Sequence, residues 1–542
     1  VRIARVAWTN YRRIPDADIL VGTHLVLVGP NDSGKSSVLR ALDMCLGMNR
    51  AQLANAVTAR DFTDLTQPLR VEVTLRELTE LERAAFPDEV DTSGAEDEII
   101  VVLEASAATD LLDEVVSDSA VGEVIDIQRY FRNSGHSRGP SRLQLDSIAW
   151  TFLPAARSLS RELDGTGGMV RGLLNGLDLG DDAAAVEEAL VTLTSSIQGA
   201  SAVQSLTTNL AGALSRALPR EVEAGDVQVS SSSDLGKSAL SNMTVTIQDG
   251  GSPTSLAEQS DGIRALSLLA VMAVSRESAR ILAVDEPENH LHATAQRSVA
   301  RSLQTSERQT VLATHAPAIV RLVHPGHVVA FGPDRTARQL ASGSPFLSAT
   351  TAAKYWTPPL VEALTARQVL FVEGQSDQIL CEAVAESLDL RFNERGVTVI
   401  ELGGGDSFPL AHALIGPTGF GVTCTGMLDE DKRVKWAEAL GVAPADLESR
   451  GFMVCDPDLE AMYIDALGVE RVLELLMALP DLSRRGLLDV SGAADVSDVD
   501  SVGLWKYCHK YKVTAAVAIA EGLTIDDVAK LAFLGTHLRS LS

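Results

Sequence analysis

One nine-residue stretch limits the fold of this chain more than any other: Gly29-Pro30-Asn31-Asp32-Ser33-Gly34-Lys35-Ser36-Ser37. It matches G-x-x-x-x-G-K-[ST], follows the apolar run HLVLVGP and precedes the helix-patterned SSVLRALDMCLGM. Glycines in such a loop let backbone N–H groups curl around a phosphate at the positive end of the helix. Lys35 then neutralises phosphate charge, and the Ser36 hydroxyl is placed to ligate Mg²⁺. Asn31, Ser33, Gly34, Lys35, Ser36 and Ser37 are therefore the candidate contacts to a nucleoside triphosphate.

A second half of the same centre lies in RILAVDEPENHLH, Arg280–His292, where an apolar strand ends on Asp285-Glu286. Asp285 would hold Mg²⁺ and Glu286 would polarise an attacking water. Further on, TVLATHAPAIV is another apolar strand, ending at His315, where an imidazole can sense the γ-phosphate.

The acidic residues of the C-terminal half repeat this placement. Glu373 ends the apolar run in VLFVEGQSDQIL, and Asp377 follows one helical turn later. FGVTCTGMLDEDKR ends a strand on Asp429-x-Asp431, and CDPDLEAM supplies Asp456, Asp458 and Glu460 after the next. In an open α/β sheet the carboxyl ends of neighbouring strands meet in one crevice. Carboxylates gathered there repel unless cations sit between them, and hard oxygen donors suit Mg²⁺ or Mn²⁺.

Length and charge bound what else the chain can be. At 542 residues it needs several cores, for which three to four domains is the expectation. Its net charge of −27 repels nucleic acid at long range, so any DNA contact must use local basic patches. Three candidates are Arg129–Arg142, the trio Lys432, Arg433 and Lys435, and Lys506–Lys512. No apolar run reaches membrane-spanning length, and VRIARVAWTNYRRI lacks the apolar centre of a signal peptide. Cys45, Cys381, Cys424, Cys455 and Cys508 are scattered without a C-x-x-C pair, so a reduced cytoplasmic setting is expected.

Strand and helix patterns alternate over 1–155, with LRVEVTLREL and EIIVVLEAS forming an antiparallel layer. Residues 156–224 read as a helical insertion, after which the ATPase pattern resumes over 225–348. A linker is expected at 349–366, then a β-α-β-α domain at 367–470 and a helical C-terminal part at 471–542.

The phosphate loop, DEPENHLH and ATHAP resemble the ABC-type ATPases of the SMC and RecF kind. In that resemblance SLAEQSDGIRALSLL matches the Ser-Gly signature that touches ATP bound to a second head, with Ser260 and Gly262 in the signature roles. It departs from the usual L-S-G-G-Q form. Gln67 in FTDLTQPLRVEV would be the metal-linked glutamine. The acidic clusters resemble a Toprim domain, which implies that Glu373 is a metal ligand or general acid/base and that Asp429 and Asp431 bind metal. Asp377 and Glu460 would complete a second metal position, so two ions are expected. Lys512, with Lys510 as the alternative, would supply the positive charge beside a scissile phosphate.

The two together resemble the overcoming-lysogenisation-defect (OLD) family of nucleases, which includes the nuclease subunit of the Gabija anti-phage system. The resemblance implies an ABC-type P-loop ATPase head with an inserted helical dimerisation element. A Toprim α/β domain with a helical C-terminal part follows. It implies a cytoplasmic homodimer that binds ATP and divalent metal and cuts or nicks DNA, with a helicase partner if it is Gabija-like. The competing expectation is an SMC-like clamp whose acidic domain is not catalytic.

Overall fold

In the computed structural model, the residues described are 1–107, 125–134, 139–154, 192, 195–218, 220–231, 243–248, 253–255, 260, 262–263, 280–289, 291–304, 308–480 and 482–541. They divide into two compact units, one made of most of 1–337 and the other of most of 338–542.

The first unit is built on parallel strands in the order Trp150–Leu153, Ile281–Asp285, Gln309–Thr314, Leu25–Val28. Leu25–Val28 and Gln309–Thr314 are buried at every residue, as strands covered on both faces must be. A separate antiparallel sheet has the order Ala17–Leu20, Arg2–Thr9, Leu69–Arg76, Ile99–Ala107, Ile125–Phe131. The expected antiparallel layer is therefore present. Gln309 stitches the two sheets. Its buried amide accepts from the Ile3 N–H at 2.7 Å and donates to the Ile3 and Gly22 carbonyls at 2.8 and 2.9 Å.

Of the expected insertion, VRGLLNGLDL and most of AAVEEALVTLTSSI lie outside the described residues. VQSLTTNLAGALSRAL forms the helix Ser201–Ala217, whose second half buries Leu210, Ala211, Ala213 and Leu214. That half belongs to the core of the first unit. A three-stranded antiparallel sheet follows, in the order Pro253–Ser255, Met243–Gln248, Val227–Ser231.

The second unit holds four parallel strands in the order Val397–Glu401, Gln368–Val372, Thr423–Asp429, Phe452–Cys455. All four carboxyl ends therefore share one rim, and the chain reverses its winding beside Gln368–Val372. One apolar cluster runs from Leu370 through Tyr463, Leu504 and Ile519 to Leu541. Residues 471–542 share this core, so 470 marks no break in packing.

The linker expected at 349–366 is a folded part of this unit. Ser348 caps the helix Ala349–Tyr355 by accepting from the Thr351 N–H, and Pro358 opens the helix Pro358–Glu362. Trp356, Leu360, Val361 and Leu364 are buried. The polar, proline-bearing composition that reads as a linker is here helix-capping chemistry.

Candidate functional site

At the phosphate loop, Gly34 has φ +106°, and a Cβ there would meet the Ile14 side chain at 2.2 Å. Only glycine fits that turn. The helix Lys35–Leu46 starts immediately after it. Lys35 is buried, and burial lowers its pKa against the opposing pull of Glu286, Glu288 and Asp285. The Ser36 hydroxyl donates to Asp285 Oδ1 at 3.0 Å, joining the loop to the end of Ile281–Asp285. Burial pushes Asp285 up to about 6, against that hydrogen bond. Behind Ser37, the Arg12 guanidinium donates to the Ser37 hydroxyl at 3.1 Å and to Asp61 at 2.8 Å. Ser33 is buried and Asn31 exposed.

Glu286 follows the strand with φ +48° and accepts from the Asn289 amide at 2.8 Å. Sequence reasoning missed Glu288. It is buried, accepts from the His315 backbone N–H at 2.7 Å, and lies 3.0 Å from His315 Nδ1. The nearby Glu288 carboxylate raises the His315 pKa above the ordinary histidine value. Gln67 is exposed in the turn before Leu69–Arg76, its carbonyl accepting from the Asn10 amide. Ser260 and Gly262 are described, but most of the signature segment around them lies outside the described residues.

The second centre sits on the shared rim of the four-stranded sheet. Glu373 follows Gln368–Val372, and it accepts from the Asp429 N–H at 2.8 Å. Asp429 ends Thr423–Asp429 and accepts from the Leu459 N–H at 3.2 Å. Asp377, in the first turn of Gln375–Ser387, turns back to the Gly374 N–H at 2.8 Å. Glu460, in the first turn of Leu459–Leu467, is 1% exposed and takes a hydrogen bond from Lys512 at 2.9 Å. Lys512 also lies 3.7 Å from Asp429 Oδ2.

These five groups therefore meet, across 140 positions of sequence from Glu373 to Lys512. Their electrostatics agree with the geometry. Burial first, and then the charges of Glu460 and Glu373, push Asp377 up to about 7. Burial and Glu373 push Asp429 up to about 7 as well. Glu373 is raised by burial and by Asp431, while its carboxylate partners carry Lys512 up to about 12 against desolvation. A hard divalent cation would relieve the repulsion that raises Glu373, Asp377 and Asp429, with Glu460 beside them. Among the described residues the ligand atoms that converge within 4.8 Å are those of Asp458, Glu460 and His509.

Asp431 lies in the short turn Glu430–Lys432. Its side chain is 67% exposed and pairs with Lys432 at 3.0 Å. It is near enough to the buried acids for its charge to raise Glu373. The structure also separates the two lysines. Lys512 reaches the acids, whereas Lys510 lies over the Tyr511 ring at 5.3 Å.

Two further features, the packing of Gly405 and the partners of Asp458, go beyond the sequence reading. Gly405, in the triple glycine after Val397–Glu401, packs so closely on Glu373 that a Cβ would lie 2.8 Å from its carboxylate and from Lys432. Three consecutive glycines at a strand end were the available signal. Asp458 is buried and takes hydrogen bonds from the Ala461 N–H at 2.8 Å and the Trp505 indole at 2.9 Å, with His509 Nδ1 at 3.2 Å. Asp458, Glu460 and His509 offer ligand atoms within 4.8 Å of one another. Nothing local in KYCHKYK reveals that His509 turns toward a carboxylate 51 residues earlier.

The basic patches are largely neutralised. Arg129 caps the carboxyl end of Lys35–Leu46 through the Met44 and Met48 carbonyls at 2.9 and 2.6 Å. Arg132 pairs with Glu72, Arg433 with Glu430, and Lys435 with Asp406.

Comparison with known proteins matches this division. Residues 25–321 match the family described as AAA domain, putative AbiEii toxin, Type IV TA system. Residues 364–431 match the overcoming lysogenization defect protein-like TOPRIM domain. An OLD nuclease of Thermus scotoductus is 32% identical over 73 residues, a match that spans 14% of this chain and 14% of that protein's length. The C-terminal region of the Xanthomonas campestris pv. campestris OLD protein is 24% identical, covering 32% of this chain and 93% of that one, at a TM-score of 0.27. An SMC head bound to the C-winged helix domain of ScpA is 14% identical, covering 65% of this chain and 100% of that one, at a TM-score of 0.40. Neither structural likeness bears on function at those scores. With the match over 25–321 spanning more than half of its length, the chain belongs to the family described as AAA domain, putative AbiEii toxin, Type IV TA system, and it carries an OLD-like TOPRIM domain behind the ATPase domain.

Proposed function

We propose that the chain is an ATP-binding, divalent-metal-dependent DNA endonuclease or nickase, used in anti-phage defence or DNA processing. The observation that carries this reading is the meeting of Glu373, Asp377, Asp429 and Glu460 around Lys512 on one sheet rim. When bound, Mg²⁺ or Mn²⁺ would supply the Lewis acidity that makes water a nucleophile and steadies a departing 3′ oxygen. The side chains do the rest. Glu373, made more basic by burial, is the candidate to take a proton from water. Lys512, held by Glu460, keeps its charge and faces the phosphate with a fixed ammonium. Asp377 and Asp429 orient the cation, and Asp431 adds negative charge at the mouth.

By the same reading, ATP is held by Asn31 and Ser33 to Ser37, with Lys35 on the phosphates. Ser36 and Asp285 hold its Mg²⁺, and Glu286 and His315 stand at the γ-phosphate. Gln67, Ser260 and Gly262 remain candidates for the remaining nucleotide contacts. A second copy would complete the signature contact, joined through the 156–224 region, and a helicase would be a partner only in a Gabija-like setting.

The test is supercoiled plasmid incubated with Mg²⁺ or Mn²⁺. Nicked and linear forms are expected from the native chain and none from Asp429→Ala. Plasmid left supercoiled with either metal would return the chain to the clamp reading.

A further inference from the structure

The helix Ser501–Lys510 buries Gly503, Leu504, Tyr507 and Cys508 and turns its other face outward. That face exposes Val502, Lys506, His509 and Lys510. Lysine is scarce in this chain, yet three of its nine lysines fall between 506 and 512. Elsewhere in the unit, cations near the pocket are already matched, Lys432 to Asp431, Arg433 to Glu430 and Lys435 to Asp406. Lys506 and Lys510 have no carboxylate partner among the described residues.

The helix is also fixed to the acidic pocket. The Trp505 indole and His509 Nδ1 both hold Asp458, and their rings lie 4.9 Å apart. Lys512 then continues from the carboxyl end of the helix to Glu460. Lysines thus lead on from the pocket: Lys512 at the acids, then Lys510 and Lys506 on the exposed face. Lys506 and Lys510 are one turn apart, about 6 Å along the axis, which lets both meet phosphates of one strand.

We infer that the exposed face of Ser501–Lys510 is a track for the sugar–phosphate backbone of DNA leading into the acidic pocket, with Lys506 and Lys510 as its phosphate contacts. The inference deepens the nuclease reading and rests on it for the identity of the polyanion. A chain with a net charge of −27 repels DNA as a whole, so it needs a local, unpaired row of cations where the strand enters. Contacts of this kind read no sequence; they fix register.

The probe is a fluorescently labelled DNA duplex, titrated by anisotropy against the full chain carrying Asp429→Asn to prevent cutting, over a range of KCl. Adding Lys506→Ala and Lys510→Ala together should weaken binding roughly tenfold or more near 0.1 M salt. It should make the slope of log K against log [KCl] shallower by about two, while Lys506→Arg with Lys510→Arg retains the native slope. In the chain with Asp429 intact, the Ala pair should raise KM for plasmid cutting and leave kcat within about twofold. An unchanged salt slope, or a fall in kcat at constant KM, overturns the track. Plasmid cut normally with an unchanged slope sinks the track alone. A lost slope in a chain that never cuts plasmid leaves the track standing and sinks the nuclease.

Discussion

At the phosphate loop, one buried lysine stands before Asp285, Glu286 and Glu288, acids drawn from a single short segment. At the second centre, carboxylates from two strand ends and two helix starts surround a lysine that is already ion-paired. The two centres carry opposite deficits. Burial lowers Lys35, so its charge is best stabilised by an incoming anion, whereas Lys512 is raised to about 12 by the acids it serves. Asp377 and Asp429, both pushed up to about 7, call for an incoming cation instead. On the proposed reading, the first centre receives phosphate and the second receives metal.

Separate failure of the two centres is the strongest way to test that contrast. Asp429→Ala should reduce plasmid cutting by about 10²-fold or more while ATP binding persists, and Lys35→Ala should abolish ATP binding while Mg²⁺ binding at the acids persists. Calorimetric titration of ATP and of metal against each variant checks both halves. Loss of both bindings in either variant breaks the comparison.

Lys512→Ala comes next, because it leaves the fully buried Glu460 without its cation. A loss of about 1–3 kcal/mol is expected in urea unfolding of the Toprim unit, the lower range reflecting the partial exposure of Lys512. The ATPase unit should unfold at its native midpoint. Gly405→Ala is a finer probe. Its methyl group must displace the Glu373 carboxylate, so metal affinity should fall about tenfold with nucleotide affinity unchanged.

How far the sequence revealed these centres follows from the same contrast. Lys35 is legible because the turn before it demands Gly34, and Asp285 and Glu286 because they end an apolar strand. Glu373 and Asp429 are legible because strand ends in a parallel sheet must share a rim. Asp458 and His509 are not, because their meeting depends on how Ser501–Lys510 packs on Leu459–Leu467, which no spacing encodes. The 349–366 stretch misled for a related reason: Ser348 and Pro358 signal helix starts as readily as linkers. The pairing of Asp431 with Lys432 was not legible, because a side chain's choice between a neighbouring lysine and the pocket is not set by spacing.

The smallest expected effect concerns acid. Burial lowers His327 in the ATPase unit from 6.5 to about 4, with His24 and His324 adding to the shift. The folded chain therefore prefers the neutral ring. That contribution is complete above the ordinary histidine range and is lost as pH falls from 6.5 toward about 4. Replacing His327 with Gln should flatten the pH dependence of the ATPase-unit urea midpoint between these limits.

All four strands of the Toprim sheet run the same way, so every turn that enters a strand lies on the side away from the acids. One of these, Glu448–Arg450, is exposed and closes on Gly451 at φ +83°. A fluorophore-bearing peptide spliced there would report on the unit from its silent flank, leaving the acidic rim unobstructed.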